Sequence, residues 1–219
     1  MSVIAYWDID GTLLQALPGR RDLFADAVEE LGATPRKPSE PREGCTDRRL
    51  AEMYLDAAAE PRSRVEEFLS VLDTLSTDFY TAQPREATAG ALAALALTAS
   101  LGWRNALMTG NTPTRARVKL STAGIDPAVF DSDLSVSGGF VSDRRELGRR
   151  ARSLTGAAAT LIVLGDTRHD LNAALAADAL FVAVSIHPDV RDDLASESRI
   201  AIENLLDPAF AAFVEGWGD

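Results

Sequence analysis

Two aspartates near the amino terminus, Asp8 and Asp10, stand where a buried strand is predicted to end. The apolar run Val3–Trp7 before them is rich in β-branched and aromatic residues, and Gly11 after them signals a turn. Side chains two positions apart point to the same side of a strand, so the two carboxylates are expected to lie together. A hard cation such as Mg²⁺ or a shared proton would relieve their repulsion, and both arrangements serve catalysis. The alternative is ordinary Asp-Gly turn chemistry after a strand.

A second polar segment follows a predicted strand over 103–108. Thr109 ends this strand, and Thr112 with Pro113 forms a suitable N-cap and first residue for a helix directly after it. The amino terminus of that helix would face whatever Thr109 faces and could bind an anion. The same residues would also build a plain link between a strand and a helix.

Predicted strands alternate with helical segments, which indicates an α/β fold with a parallel sheet covered by helices on both faces. The strands are predicted over Val3–Trp7, 103–108, 161–164 and Leu180–Val184. Ligands of such sheets bind at the carboxyl ends of the strands. Four polar side chains follow strand ends and are therefore expected to meet at one edge of the sheet. They are Asp8, Asp10, Thr109 and Asp166.

The composition of the 219-residue chain restricts its function class. A formal net charge of −11, with arginines scattered among acids, argues against nucleic-acid binding, which needs a concentrated basic face. The longest apolar stretch, 87–101, is too short to span a bilayer, and no basic and apolar leader precedes Asp8. The single cysteine, Cys45, cannot form an internal disulfide and suggests a reducing compartment. A cytoplasmic protein without nucleic-acid or membrane partners is therefore expected.

The segment between Leu14 and about Pro84 has a different pattern from the rest of the chain. Helices are predicted over 21–31, 47–59 and 61–75, without a convincing strand. The chain is therefore predicted to consist of an α/β core, residues 1–15 and 85–219, and an inserted helical domain, residues 16–84.

The residues at the strand ends match the motifs of a known family in type, order and spacing. They read Asp8-Ile9-Asp10-Gly11-Thr12-Leu13-Leu14, then Thr109-Gly110-Asn111, then Gly165-Asp166-Thr167-Arg168-His169-Asp170. From Val3 to about Val184 the chain resembles the haloacid dehalogenase (HAD) superfamily, and within it the phosphoglycolate phosphatase-like subgroup. The resemblance implies a Rossmann-like parallel sheet, the HAD fold, with an inserted all-helical cap of the C1 type that closes over the active site.

The resemblance also implies a role for the first two motifs. Asp8 would attack the substrate phosphorus and form an aspartyl-phosphate, while Asp10 would act as general acid and then as general base. Thr109, Gly110 and Asn111 would hold the phosphoryl oxygens.

The last motif is implied to complete a metal site. The carboxylates of Asp8, Asp166 and Asp170, with the backbone carbonyl of Asp10, would hold Mg²⁺. His169 stands between two of these acids and is expected to face solvent or to form a local hydrogen bond.

The third motif of the family is a cation that neutralises the nucleophile and the phosphate. The chain has two lysines, and neither lies in the expected segment, so the candidates are Arg144 and Arg145. Arg144 is preferred, because an Arg-x-x-Leu pattern recurs there in relatives that share the Thr-Gly-Asn motif. Lys119 is a remote alternative and is expected to cover the surface of its helix instead.

The predicted insertion offers further candidates. Gly44 allows the backbone to approach a ligand closely, and Thr46 or Asp47 can cap the next helix. Four arginines are candidates for neutralising an anionic substrate: Arg20, Arg21, Arg42 and Arg48.

The residues and the resemblance together predict a Mg²⁺-dependent phosphatase acting on a small phosphorylated metabolite. A sugar phosphomutase would carry the same motifs, and a non-catalytic binding protein could retain the fold. A dehalogenase is disfavoured, because that branch does without the second aspartate and Mg²⁺, whereas Asp10 is present. Phosphoglycolate is the first candidate substrate by analogy alone.

Overall fold

The computed structural model of the protein describes residues 2–15 and 21–217 and contains a six-stranded sheet. The strands are β1 (Val3–Trp7), β2 (Arg104–Thr109), β3 (Val136–Ser137), β4 (Thr160–Gly165), β5 (Leu180–Val184) and β6 (Ile200–Ile202). Their order across the sheet is β3-β2-β1-β4-β5-β6, and every neighbouring pair is parallel. The carboxyl ends of β2, β1 and β4 are therefore adjacent in the middle of the sheet.

Helices lie both between β1 and β2 and after β2. The first group is α1 (Leu23–Glu30), α2 (Asp47–Ala57), α3 (Val65–Ala82) and α4 (Ala91–Ser100). The second group is α5 (Pro113–Thr122), α6 (Arg144–Thr155), α7 (Arg168–Ala176), α8 (Pro188–Ala195) and α9 (Pro208–Glu215). Among the described residues, no helix combines the length and the apolar character needed to cross a membrane.

Alternation along β1 places its side chains in two separate apolar cores. Ile4 and Tyr6 pack on one face of the sheet, while Ala5 and Trp7 pack on the other, and all four are buried. Burial on both faces is expected for a strand of a parallel sheet covered by helices. The indole N–H of Trp7 donates to Asn105 Oδ1 at 2.9 Å, which satisfies the polar atom in the core. The predicted α/β fold is confirmed.

Most predicted elements lie within two residues of the observed bounds, and α3 is the exception. It was expected to begin at 61 and end near 75, but it begins at Val65, after a 3₁₀ turn, and continues to Ala82. Leu72, Ser76 and Tyr80 are buried at a spacing of four along its second half. Packing of this face against α5 extends the helix through a stretch that is polar in sequence.

The helices α1–α3 share an apolar core that is separate from the two cores of the sheet. Tyr54, Phe68 and Leu72 are among its buried residues. The two linkers to the rest of the chain run side by side, since the Gln15 N–H donates to the Glu86 carbonyl at 3.0 Å. That this segment is a cap domain of its own, with the boundaries given above, stays a prediction.

Candidate active site

The two aspartates of the first motif lie at the carboxyl end of β1. The backbone N–H of Asp8 donates to the carbonyl of Leu164 at 3.0 Å and continues the pairing of β1 with β4. Gly11 then turns the chain with a φ of +90°, in the region that favours glycine. A Cβ at Gly11 would overlap the Asp166 carboxylate. The turn glycine therefore allows the first and last motifs to approach each other.

Asp8, Asp166 and Asp170 form a cluster in which each carboxylate offers an oxygen within 4.8 Å of the others. Burial, with the charges of Asp170 and Asp10, raises the pKa of Asp8 to about 7, although Arg144 lowers it. Burial and the two neighbouring carboxylates also raise the pKa of Asp166 well above its usual range. Asp166 Oδ1 has no hydrogen-bond partner among the described residues. A hard divalent cation relieves such crowding, and a set of carboxylate oxygens suits Mg²⁺.

Arg144 is the first residue of α6 and reaches this cluster with a side chain only 6% exposed. Its Nη2 donates to Asp8 Oδ1 at 2.5 Å and also to Asp170. The second carboxylate oxygen of Asp170 accepts from the backbone N–H and hydroxyl of Thr167 at the start of α7. Arg145 is exposed and pairs with Asp143, two residues before it in the chain. Of the two candidate arginines, Arg144 is therefore the one that contacts the first motif.

Asp10 lies outside the acid cluster and is surrounded by donors. Lys119 Nζ donates to Asp10 Oδ2 and to Asn111 Oδ1, both at 2.6 Å. Arg85 Nη1 donates to Asp10 Oδ1 at 2.9 Å, and the Asn111 side-chain amide donates to Oδ2 at 2.9 Å. Although burial raises it, Lys119 and Arg85 hold the pKa of Asp10 well below its usual range. Asp10 is therefore ionised in this arrangement.

The surface position expected for Lys119 is wrong, because its side chain is 4% exposed and belongs to the site. Packing of α3 along α5 buries this side of the helix. The sequence also does not single out Arg85 or Arg115 as site residues. Both are only 5% exposed to solvent. The spacing of four between Arg115 and Lys119 places them on one helical face and is a local signal. Arg85 has no such signal, since 75 residues separate it from Asp10 in the chain.

The second-motif loop lies beside Asp10 at the end of β2. The hydroxyl of Thr109 accepts from the backbone N–H of Asn111 at 3.2 Å and from its side-chain amide at 2.9 Å. Gly110 and Asn111 line the cavity described below, and Thr109 is 1% exposed. The loop is held in shape by its own hydrogen bonds, and its binding of phosphoryl oxygens stays a prediction.

Helix α5 begins as predicted, with Thr112 as its N-cap and Pro113 as its first residue. The anion expected at this helix end is a carboxylate of the protein itself, because Asp47 accepts from the Thr112 N–H at 2.7 Å. Asp47 also pairs with Arg115, and its own N–H donates to the Gly110 carbonyl at 2.7 Å. The prediction that this helix end binds an external anion is therefore wrong for the Thr112 N–H, because the Asp47 carboxylate accepts its hydrogen bond.

The segment before α2 contacts the core directly. Thr46, one of the two predicted capping residues, caps α2, and its hydroxyl donates to the Val141 carbonyl at 2.7 Å. Gly44 has a φ of +71°, and a Cβ there would collide with the ring of His169. His169 is exposed, as expected for a spacer between the two acids. These contacts hold the inserted helices over the carboxyl edge of the sheet.

A cavity of about 290 Å³ lies between the inserted helices and the sheet edge. Charged residues dominate its lining, with Asp8, Asp10, Lys119, Arg115, Arg144 and Asp166 from the core and Arg42 and Asp47 from the insertion. Arg21 and Arg48 are not among the lining residues and pair with acids elsewhere. Arg20 lies outside the described residues. Cys45 lines the cavity, and burial raises its pKa, so it is a neutral thiol there.

The sequence matches the family model of haloacid dehalogenase-like hydrolases over residues 4–178. This match extends over most of the chain, and the chain therefore belongs to the haloacid dehalogenase-like hydrolases. Comparison with curated proteins gives no match.

Several solved structures share the fold. CbbY from Rhodobacter sphaeroides in complex with phosphate has a TM-score of 0.68 and 16% identity, over 94% of this chain and 95% of that chain. A putative β-phosphoglucomutase from Thermotoga maritima has a TM-score of 0.61 and 18% identity, over 99% of each chain. A putative phosphoglycolate phosphatase from Lactobacillus plantarum has a TM-score of 0.61 and 16% identity, over 96% of this chain and 100% of that chain. The predicted HAD fold is confirmed.

Proposed function

We propose that the protein is a Mg²⁺-dependent phosphatase that hydrolyses a small phosphorylated metabolite through an aspartyl-phosphate on Asp8. The observation that carries the proposal is the position of Asp8. It lines the cavity, belongs to the acid cluster and accepts a hydrogen bond from Arg144. Asp10 follows two residues later with a different set of partners. Two carboxylates held in such different environments suit a nucleophile and an acid–base group.

The first half of the reaction uses residues at the carboxyl edge of the sheet. Arg144 holds one oxygen of Asp8, and the other oxygen attacks phosphorus in line with the leaving oxygen. A bond forms between Asp8 and phosphorus as the bond to the leaving oxygen breaks. Thr109 Oγ1 and the backbone N–H of Gly110 hold the phosphoryl oxygens. When held by Asp8, Asp166 and Asp170, Mg²⁺ supplies the charge that neutralises those oxygens.

Asp10 transfers protons in both halves of the proposed reaction. It gives a proton to the leaving oxygen, and later it takes one from the water that hydrolyses the aspartyl-phosphate. The described arrangement keeps Asp10 ionised, which is the form that accepts the proton from water. The first half requires that Asp10 gains a proton. A substrate oxygen that replaces Lys119 as its partner would raise the pKa of Asp10 in that direction.

The relatives support a phosphorylated small molecule as the substrate. CbbY was crystallised with phosphate, and a variant of it with xylulose-1,5-bisphosphate. A sugar phosphomutase remains the alternative, since a putative β-phosphoglucomutase shares the fold and an aspartyl-phosphate would serve that reaction as well. The cytoplasmic location expected from the single cysteine also stays a prediction.

The test is phosphate release from a panel of phosphorylated metabolites, with Mg²⁺ and with EDTA. Wild type is compared with Asp8→Asn, and with Asp192→Asn as a matched loss of one exposed carboxylate. We expect Mg²⁺-dependent release by wild type and by the control. We also expect a phosphoryl adduct in the acid-quenched enzyme, and both should be absent in Asp8→Asn. Release that persists in Asp8→Asn would refute the proposed nucleophile. Isomerised sugar phosphate without release would favour the mutase, and no turnover at all would favour a binding protein.

A further inference from the structure

The half of the cavity around Asp10 contains two buried cations to which the proposed reaction assigns no contact with the substrate. Arg115 and Lys119 stand four residues apart on α5, so they lie on one face of the helix, and both line the cavity. As whole residues, Arg115 is 5% and Lys119 is 3% exposed to solvent. Buried arginines and lysines are almost always paired, so the charges around them indicate what the cavity is built to receive.

Two buried cations in this half share one carboxylate, because Lys119 and Arg85 both pair with Asp10. Arg115 pairs with Asp47, and Asp73 is a further carboxylate near it. Arg115 uses Nη1 for Asp47, while its buried Nε–H has no hydrogen-bond partner among the described residues. Lys119 therefore has no carboxylate to itself, and Arg115 has an N–H left to donate.

Tyr80 lies against the same cations. Its ring packs against two of these cations, with the Lys119 Nζ 5.4 Å and the Arg85 guanidinium carbon 5.7 Å from the ring centroid. Burial alone would raise the pKa of the Tyr80 hydroxyl, but Lys119 and Arg115 lower it below its usual range. A buried phenol behaves in this way where the surrounding potential is positive.

We propose that the alcohol portion of the substrate carries a second anionic group, and that Arg115 and Lys119 bind it. This inference rests on the proposed function, because it places the leaving oxygen at Asp10. Lys119 donates to Asp10 at 2.6 Å, so a group bound by Lys119 and Arg115 lies next to that oxygen. With the phosphoryl group in the same cavity of about 290 Å³, the alcohol must be short. A carboxylate and a second phosphate offer the same anionic oxygens to these donors.

The experiment compares esters that differ in the second group. The probes are 2-phosphoglycolate with a carboxylate, its uncharged amide, phosphoethanolamine with a cation, and ethylene glycol bisphosphate with a second phosphate. Rates of phosphate release are measured for wild type, Arg115→Met and Arg115→Lys. Arg117→Met is the matched control, since Arg117 is exposed on the same helix and does not line the cavity. Calorimetric titrations of the same esters into an Asp8→Asn background measure binding without turnover.

We expect wild type to prefer an anionic ester over the amide by about 10- to 100-fold in kcat/KM, the range of one charge-assisted hydrogen bond. The preference should fall towards unity in Arg115→Met through a higher KM for the anionic ester. Arg115→Lys should retain part of it, and Arg117→Met all of it. Whether the carboxylate or the second phosphate gives the higher rate identifies the group.

Equal rates for the glycolate ester, the bisphosphate and the amide in wild type would overturn the second anion site while leaving the phosphatase intact. A preference that survives in Arg115→Met would overturn the assignment of Arg115. If no ester is hydrolysed, the proposed function fails, and calorimetry still decides the site. Tighter binding of the anionic esters than of the amide supports it, and equal binding refutes it. The wild-type comparison also decides the question if Arg115→Met does not fold.

Discussion

Replacing Asp166 by Asn should stabilise the protein without metal and abolish its stabilisation by Mg²⁺. Asp166 lies within 4.8 Å of the carboxylate oxygens of Asp8 and Asp170, and its Oδ1 has no partner among the described residues. Without a metal ion, the folded state must hold these carboxylates close together, and Arg144 pairs with two of them, Asp8 and Asp170. An amide at position 166 removes one of the three negative charges and keeps nearly the same shape.

The distance between the carboxylate oxygens of the cluster gives the size of the expected stabilisation. Two unit charges 4.8 Å apart repel by about 3 kcal/mol at an effective dielectric constant of about 20. Asp166 has two such neighbours, and Arg144 offsets part of the repulsion. We therefore expect Asp166→Asn to raise the free energy of unfolding by about 3 kcal/mol. For a chain of this size that corresponds to about 6–12 °C in Tm.

Thermal unfolding at about pH 8.5, above the pKa of about 7 for Asp8, measures this effect in EDTA and in excess Mg²⁺. Asp192→Asn is the control for the loss of one exposed negative charge. Mg²⁺ should raise the Tm of wild type and of the control, because it binds the folded state. It should have little effect on Asp166→Asn. An Asp166→Asn protein that is less stable than wild type in EDTA would refute the reasoning, as would equal stabilisation of both by Mg²⁺.

The pH dependence of this difference follows from the raised pKa values. The folded, metal-free protein binds protons at Asp8 and Asp166 more tightly than the unfolded chain does. The contribution of these two groups to stability should therefore be largest at acidic pH and be lost as the pH rises through about 7, the pKa of Asp8. The advantage of Asp166→Asn should shrink towards about pH 5, because the raised pKa values of Asp8 and Asp166 favour their neutral forms at lower pH.

Three further substitutions test other contacts. Arg144→Met should lower the free energy of unfolding in EDTA by about 3–5 kcal/mol, because it leaves buried carboxylates without their cation. Urea titration measures this loss, and Arg145→Met is the control that should unfold like wild type. Asp47→Ala should destabilise the protein by a similar amount by removing the partner of a buried arginine, and a loss below about 1 kcal/mol in the same titration would contradict this pairing. Lys119→Met should shift the acidic limb of the pH–rate profile to higher pH, because the carboxylate of Asp10 loses a cation that lowers its pKa. An unchanged limb would show that Lys119 does not act on Asp10.

The sequence carries much of the fold and part of the site in short segments. Val3–Trp7 and Leu180–Val184 have the observed bounds, and α5 begins at Pro113 as its N-cap predicts. The strand ends bring Asp8, Asp10 and Asp166 to one edge. Such features are readable because β-branched runs, turn glycines and capping residues act over a few neighbouring residues. The parallel order of the strands then places their carboxyl ends side by side.

The partners of these side chains were decided by the tertiary structure. Lys119 was expected on a surface, yet α3 covers its helix and turns it towards Asp10, 109 residues away in the chain. Arg85 reaches Asp10 across 75 residues, and Asp47 takes the Thr112 N–H across 65. The contact of Asp47 depends on where the inserted helices rest on the sheet, and those of Lys119 and Arg85 depend on how distant segments of the chain pack together. The sequence by itself therefore determined which groups stand at the sheet edge, because their placement is local. Only the packing of distant segments determined their charges and hydrogen bonds, because electrostatic and hydrogen-bonding partners depend on distance in space.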